Sequence, residues 1–498
     1  MNILTSLILV PVLTIFVLIF TKNHKQARLV SAIGTGFEFL LSLLLVWMYF
    51  QERKSGNTSE FLFAQNILWY KSLNIYYSVA IDGIGVLMIL LTSIITFAGI
   101  FASWQVEDLA KEFFIFLILL ASGVFGFFIA QDLFTMFVFY EIAVIPMYVL
   151  IGIWGTGKKE YSAMKLTLML MGGSALLMVA LLGIYFYSNN PEGLHTFNIQ
   201  QLADMKFPFE IQKFFYPFAF VGFGVLGALF PFHTWSPDGH ASAPTAVSML
   251  HAGVLMKLGS YGAFRVAMYL MPEAAVYFAD LFLVLTGFSV IYGAFVAIRK
   301  TDLKYINAYS SVSHVGLILF ALMMFTKTAF TGAILQMISH GFMTAMFFAL
   351  IGMIYGRTHT REIGQMGGLM KVLPVISATY VIAGLASLGL PGLSGFVAEM
   401  NIFVGAWQNP NLLNRIFTVI AISAIVVTAV YILRVVGVLL MGPVKNEEYY
   451  HYPKIYWFER VVIILLMGSI AGIGLMPLWI TDTIREGLVP IMERFANL

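Results

Sequence analysis

The chain has 498 residues, of which 60% are hydrophobic, 15% aromatic and only 11% charged, with a net charge of +3 and a mean hydropathy of +0.88. Soluble domains carry about 25% charged residues, so this composition excludes an ordinary globular protein, and no basic face or stacking module supports nucleic-acid binding. Cysteine is absent, which removes disulfides, thiolate metal sites and cysteine-held iron–sulfur clusters.

A membrane crossing takes about 20 apolar residues. Such windows fall at 2–21, 29–50, 78–103, 113–130, 132–155 and 161–187. They continue at 214–241, 244–271, 274–298, 303–325, 327–356, 373–407, 414–441 and 457–481. The pattern predicts an all-α polytopic membrane protein with about fourteen spans. The first run lacks a basic leader and a small-residue cleavage site, so it reads as a membrane helix and not a cleaved signal. Basic residues gather after the odd-numbered spans, among them Lys22, Lys25, Arg28, Lys158, Lys159, Arg299, Lys300, Arg357 and Arg361. The positive-inside rule then puts those loops in the cytoplasm and both termini outside.

Two windows are interrupted, the first at Gly224, Gly227 and Pro231, the second within LGLPGLSG from Leu388 to Gly395. They lie five spans apart, and each precedes a helix with a base read as central, Lys257 in one and Arg434 in the other. An odd offset inverts the second copy relative to the first, and paired broken helices point to a midplane ion site. Gly and Pro are also common in membrane helices at large, which is the competing explanation.

An ionisable side chain at the bilayer centre costs about 2.5–3.5 kcal/mol on insertion scales and is a functional candidate by default. Glu141 lies mid-span in FVFYEIAVIP, Lys257 in HAGVLMKLGSYG, and Glu399 in SGFVAEMNIF just past the second break. His314 shares a helical face with Ser310 and Ser311, and His340 with Gln336 and Thr344. Such rows can relay protons or serve as hydrogen-bonding glue between helices. Lys165 sits near a span start, where a lysine can snorkel to the interface, and Asp82 has the position of a helix cap. His233 and His240 are seven apart around Pro237 and Gly239, which is not helical metal spacing. His314 and His340 in principle allow a haem clamp, but nothing else in the sequence forms a cofactor pocket, and no nucleotide loop or nucleophile motif occurs.

The segments PFHTWSPDGHASAPTA, LMKLGSYG, YSSVSHVG, LQMISHG, RTHTREIGQMGGL and LASLGLPGLSGFVAE together resemble the chain M subunit of proton-translocating NADH:quinone oxidoreductase, respiratory complex I. That subunit is itself similar to Mrp-type cation/proton antiporter subunits. The resemblance covers about Asp82 to Arg434, while the two ends fit in hydropathy alone. It implies two inverted five-helix repeats with two discontinuous helices: N-terminal helices at 1–112, a first repeat at 113–271, a second at 272–443, and a final helix and tail at 444–498. It also implies a proton-translocation set of Glu141, Lys165, Lys257, His314, His340 and Glu399, with His251, His233, Asp82 and Arg434 as possible accessories. The chain itself would hold no cofactor. NADH, FMN, iron–sulfur clusters and quinone would belong to partner subunits, with antiporter-like neighbours on both sides in a bacterial inner membrane. One departure stands out: where the family usually carries a seventh-helix lysine, this chain has Leu226, so Glu141 lacks its usual base and His251 or Lys165 is the expected stand-in. The alternatives are an Mrp-type antiporter subunit, a membrane-bound hydrogenase subunit, or a structural spacer.

Overall fold

The computed structural model describes residues 2–188 and 193–496. The chain opens with α1 (Ile3–Ile19) and α2 (His24–Lys54), then turns into an antiparallel hairpin of β1 (Leu62–Tyr70) and β2 (Ile75–Ile81). Next come α3 (Gly83–Ala102), α4 (Ala110–Ile129), α5 (Leu133–Trp154), α6 (Lys159–Tyr187) and the short α7 (Ile199–Asp204). The first interrupted segment is α8 (Phe209–Leu226) followed by α9 (Trp235–Ser242). Lys257 rides on a composite helix: α10 (Thr245–Leu250), a π-helical stretch at His251–Leu255, α11 (Met256–Gly262) and a second π stretch at Ala263–Met268. After α12 (Pro272–Tyr277) come α13 (Ala279–Arg299), α14 (Leu303–Leu322), α15 (Lys327–Thr358) and α16 (Leu369–Val372). The second interrupted segment is α17 (Pro374–Ser387) and α18 (Ser394–Gln408), and the chain closes with α19 (Leu412–Val435), α20 (Trp457–Leu475), α21 (Leu478–Gly487) and α22 (Val489–Ala496).

Ten helices among the described residues are long and apolar enough to cross a membrane: α2 to α6, α13 to α15, α19 with its π-helical extension to Leu440, and α20. The four other expected spans fall on the shorter α1 and on three segments assembled from helical pieces. Both expected breaks are present, at 227–234 and 388–393.

Three expectations need correction. The window 78–103 starts inside β2, because the alternating LFAQNILWY and IYYSVAI runs pair as strands ahead of the helix. The window 457–481 ends at Leu475, beyond which α21 and α22 turn amphipathic. Arg434 is not central but lies in the last turn of α19, where it donates to the carbonyls of Ile298 and of Lys300 at the end of α13. A guanidinium is favoured there because the last carbonyls of a helix lack partners of their own.

Short polar residues set the helix starts. Asn2, Asn23, Asp82, Asp132, Asn198, Asp302, Thr326 and Asn411 each accept a backbone N–H of the first turn, satisfying donors that the helix cannot. Burial then sorts the helices: 94% of the apolar window of α15 is buried, against 28% for α2. α15 therefore runs through the centre of the bundle, which is where polar side chains can be held away from lipid.

Candidate functional site

Lys257 and His340 are fully buried on the composite helix and α15, and Lys257 Nζ lies 2.7 Å from His340 Nδ1. The amine also donates to the carbonyl of Ala252, inside the first π stretch. A π-helical turn disturbs the i→i−4 ladder, which leaves a carbonyl for the lysine. The helices approach closely here: a Cβ on Gly341 would sit 2.7 Å from the Gly253 carbonyl, so only glycine lets α15 come this near.

From His340 the row continues laterally. The His340 and His314 rings have centroids 5.3 Å apart. His314 Nδ1 is 3.1 Å from Gln336 Nε2 and 3.9 Å from Glu399 Oε1, and its Nε2 is 3.3 Å from the Ser387 hydroxyl. Hydroxyls line the way, Ser311 with Thr344 at 3.0 Å and Ser339 with Ser394 at 2.7 Å. Four of the expected site residues, Lys257, His340, His314 and Glu399, thus form one row from the composite helix through α15 and α14 to α18, just past the second break. Glu399 borders a cavity of about 10 Å³ with His314 and Ser387, room for about one water. At 3.9 Å the last pair is too long for a direct hydrogen bond and takes a bridging water or a small rotation.

The remaining expected residues lie elsewhere. Lys165 pairs with Asp238 on α9 at 2.7 Å, and Asp238 also accepts the Tyr305 hydroxyl at 3.0 Å. Glu141 is half-buried beside Ser174, with exposed Ile145 and Tyr148 on the following turns, so it faces the side of the bundle. Neither expected stand-in base is brought to it: Lys165 is taken by Asp238, and His251 stacks between Trp235 and His240 with centroids 5.0 and 4.1 Å away. No ion pair of Glu141 occurs among the described residues. His233 stacks on Phe230 and meets Tyr292 edge-on within the first break. Asp82 caps α3 through the Gly85 N–H at 2.7 Å and lies 3.6 Å from Arg265, which is also 3.2 Å from Glu60. Burial raises the Glu60 carboxyl above its ordinary range, with Arg265 opposing that shift and Asp82 adding to it.

Several partners escaped the sequence reading. The pairings of Asp238 with Lys165 and of Gln336 with His314 are the clearest, because only the fold tells which of many polar side chains meet. Lys304 was also missed, being buried at the start of α14, where it donates to the Ala243 carbonyl at 2.5 Å. Arg357 makes a bidentate pair with Glu459, both contacts 2.7 Å, that ties α15 to α20. Among the described residues no cluster of three or more His, Asp or Glu side chains is arranged to hold a metal.

Broken helices, π-helical turns and a buried Lys–His–His–Glu row define an antiporter-like, multi-pass membrane subunit. The chain belongs to the NADH:quinone oxidoreductase/Mrp antiporter transmembrane family, whose model matches residues 130–441. It is 37% identical over 445 residues to NAD(P)H-quinone oxidoreductase chain 4-2 of Synechocystis sp., covering 88% of this chain and 78% of that one. It is 32% identical over 501 residues to NADH-quinone oxidoreductase subunit M of Rickettsia typhi, covering 99% of each. Among solved structures, a chain of respiratory complex I from Thermus thermophilus with bound NADH matches with a TM-score of 0.88 at 25% identity, over 99% of this chain and 100% of that one. The likeness therefore reaches the two ends, beyond the stretch from Asp82 to Arg434 that carries the motifs.

Proposed function

We propose that this chain is a proton-translocating membrane subunit of an NADH:quinone oxidoreductase, and that the row from Lys257 to Glu399 is its proton path. The observation that carries the proposal is the 2.7 Å contact between Lys257 and His340 at full burial, continued through His314 to Glu399. A neutral imidazole accepts a proton on one ring nitrogen and releases one from the other. His340 receives the Lys257 proton at Nδ1, and its other nitrogen, which has no partner among the described residues, passes one on. His314 hands the proton to Glu399, which releases it outward past the second break.

Redox chemistry belongs to other subunits, which bind NADH, FMN, iron–sulfur clusters and quinone; this chain has no catalytic centre of its own. It lies in a bacterial inner membrane with both termini on the outer side, between antiporter-like neighbours. Those neighbours drive it electrostatically. One unit charge arriving about 4 Å away at an effective dielectric of 20 is worth about 4 kcal/mol, enough to move a protonation equilibrium by roughly a thousandfold. Glu141, facing the side of the bundle, is the group placed to feel such a charge. The test is Lys257→Ala in the assembled complex, reconstituted in vesicles. Proton transfer per electron should be lost while the complex stays assembled, and normal pumping would remove the assignment.

A further inference from the structure

The row above leaves one intramembrane acid unused. Glu38 lies within a residue of the middle of the 31-residue helix α2 and is 2% exposed. Neither of its carboxyl oxygens has a hydrogen-bond partner among the described residues. Its helix is inside-out relative to one in a soluble protein. Ser31, Thr35, Glu38, Ser42 and Tyr49 occupy the buried face, while Leu29, Ile33, Phe37, Leu40, Leu44 and Trp47 are exposed. The spacing is that of one helical stripe. Opposite it, α3 presents Ser93, whose hydroxyl meets that of Ser42 at 2.6 Å. Charged groups close both ends of this seam. Arg28 meets Glu107 at 3.3 Å on one face, and Arg53 meets Glu486 at 2.7 Å and the Tyr49 hydroxyl at 3.1 Å on the other.

We propose that Glu38 is a second proton-binding site, a carboxyl that takes up and releases a proton inside the polar seam of α2 and α3, apart from the row that ends at Glu399. A carboxyl retained only as interhelical glue needs partners, and this one makes none. A buried acid without partners demands an explanation. The cargo is a proton and not a metal cation. The seam offers one carboxylate and a few hydroxyls, Thr35 and Ser42 on α2 and Ser93 on α3, and among the described residues no cluster of acids or histidines is arranged to hold a metal. Oxygen-ligated cations take about six ligands.

Among the described residues no other titratable group faces Glu38 at its own depth. α1 and α3 carry no Asp, Glu, His, Lys or Arg, and α4 carries only Lys111 and Glu112 in its first turn. α20 has Glu459 and Arg460 in its first turn, while α21 meets α2 near Phe50 through Trp479 and at Arg53 through Glu486. Uptake forms one O–H bond on the carboxylate with a proton from water entering the seam, and release breaks that bond. As a transport step this rests on the proton-translocating reading of the chain, but protonation itself does not.

The test is infrared difference spectroscopy of the assembled complex across a pH titration, with wild type, Glu38→Gln, Glu38→Asp and Lys257→Ala in parallel. The expected result is a protonated-carboxyl band that titrates in wild type, is lost in Glu38→Gln and returns, shifted, in Glu38→Asp. Identical wild-type and Glu38→Gln spectra at every pH overturn the proposal and leave Glu38 a permanently neutral packing group. The Lys257→Ala arm separates the two readings. If that variant pumps normally while the Glu38 band is present, the seam stands and the Lys257 row falls. If it stops pumping while Glu38→Gln leaves the spectrum unchanged, the row stands and the seam falls.

Discussion

The two broken helices look alike in outline and differ in what they hold. In each, a carboxylate follows the break within two turns, Asp238 on α9 and Glu399 on α18. Asp238 has a cation at 2.7 Å, and both partners keep about a quarter of their side chains exposed, 23% and 24%. Glu399 has only 8% of its side chain exposed, and its nearest base is a histidine at 3.9 Å. An acid with a permanent cation and nearby solvent stays charged. An acid shut away from water with only an imidazole beside it can change state when that imidazole does. On the proposed reading the first break therefore holds a fixed ion pair and the second holds the switching end of the row.

The largest expected effect breaks this comparison directly. Glu399→Gln removes the terminal acceptor and should abolish most proton transfer per electron in vesicles. Asp238→Asn should reduce it only partly, because a partly exposed ion pair is worth roughly 0–1 kcal/mol. Equal losses would mean that the two breaks do the same job.

Gly389→Ala is a milder probe of the same corner. Gly389 has φ of +62°, and a Cβ there would sit 2.5 Å from Glu399 Oε2. The backbone cost is about 1–2 kcal/mol, and the carboxyl must also move. Gly392→Ala is the control, since Gly392 has φ of +92° with nothing within 4 Å of its added Cβ. Proton yield should fall for Gly389→Ala and hold for Gly392→Ala, and equal yields would show that the position of Glu399 is not critical.

The smallest effect concerns the first break, where the left-handed position is filled by Ala228 at φ of +52°. Ala228→Gly relieves about 1–2 kcal/mol of backbone cost but gives back roughly 0.4–1 kcal/mol in unfolded-chain entropy. A slight rise in the thermal stability of the solubilised complex is expected, with proton yield unchanged. A drop in yield would show that the first break also needs its strained shape.

Much of this was legible in the chain itself. Glycine and proline at Gly224, Gly227, Pro231 and within Leu388–Gly395 marked both interruptions, because those residues weaken a helix wherever they fall. Lys257, His314, His340 and Glu399 stood out because a charge or an imidazole in an apolar run has no cheap explanation. What stayed hidden were pairings and local winding. The partner of Lys165 depends on how α6 meets α9, and π-helical turns follow from packing around Lys257 and Gly253, with no sequence period of their own. The hairpin was masked because the end of β2 is apolar enough to read as the edge of a span, while β1 fell between two windows. Glu38 had a signal, a lone acid among Ser31, Thr35 and Ser42 at one helical spacing, that passed as part of an ordinary hydrophobic window.

The central claim is that Lys257 and Glu399 act on one path, and a double-mutant comparison tests it most directly. Protons moved per electron are measured for Lys257→Ala, Glu399→Gln and the double variant in the same reconstituted complex. On one path the double variant transfers no less than the more damaged single variant, because a blocked route cannot be blocked twice. Losses that multiply would place the two residues on separate routes and contradict the account.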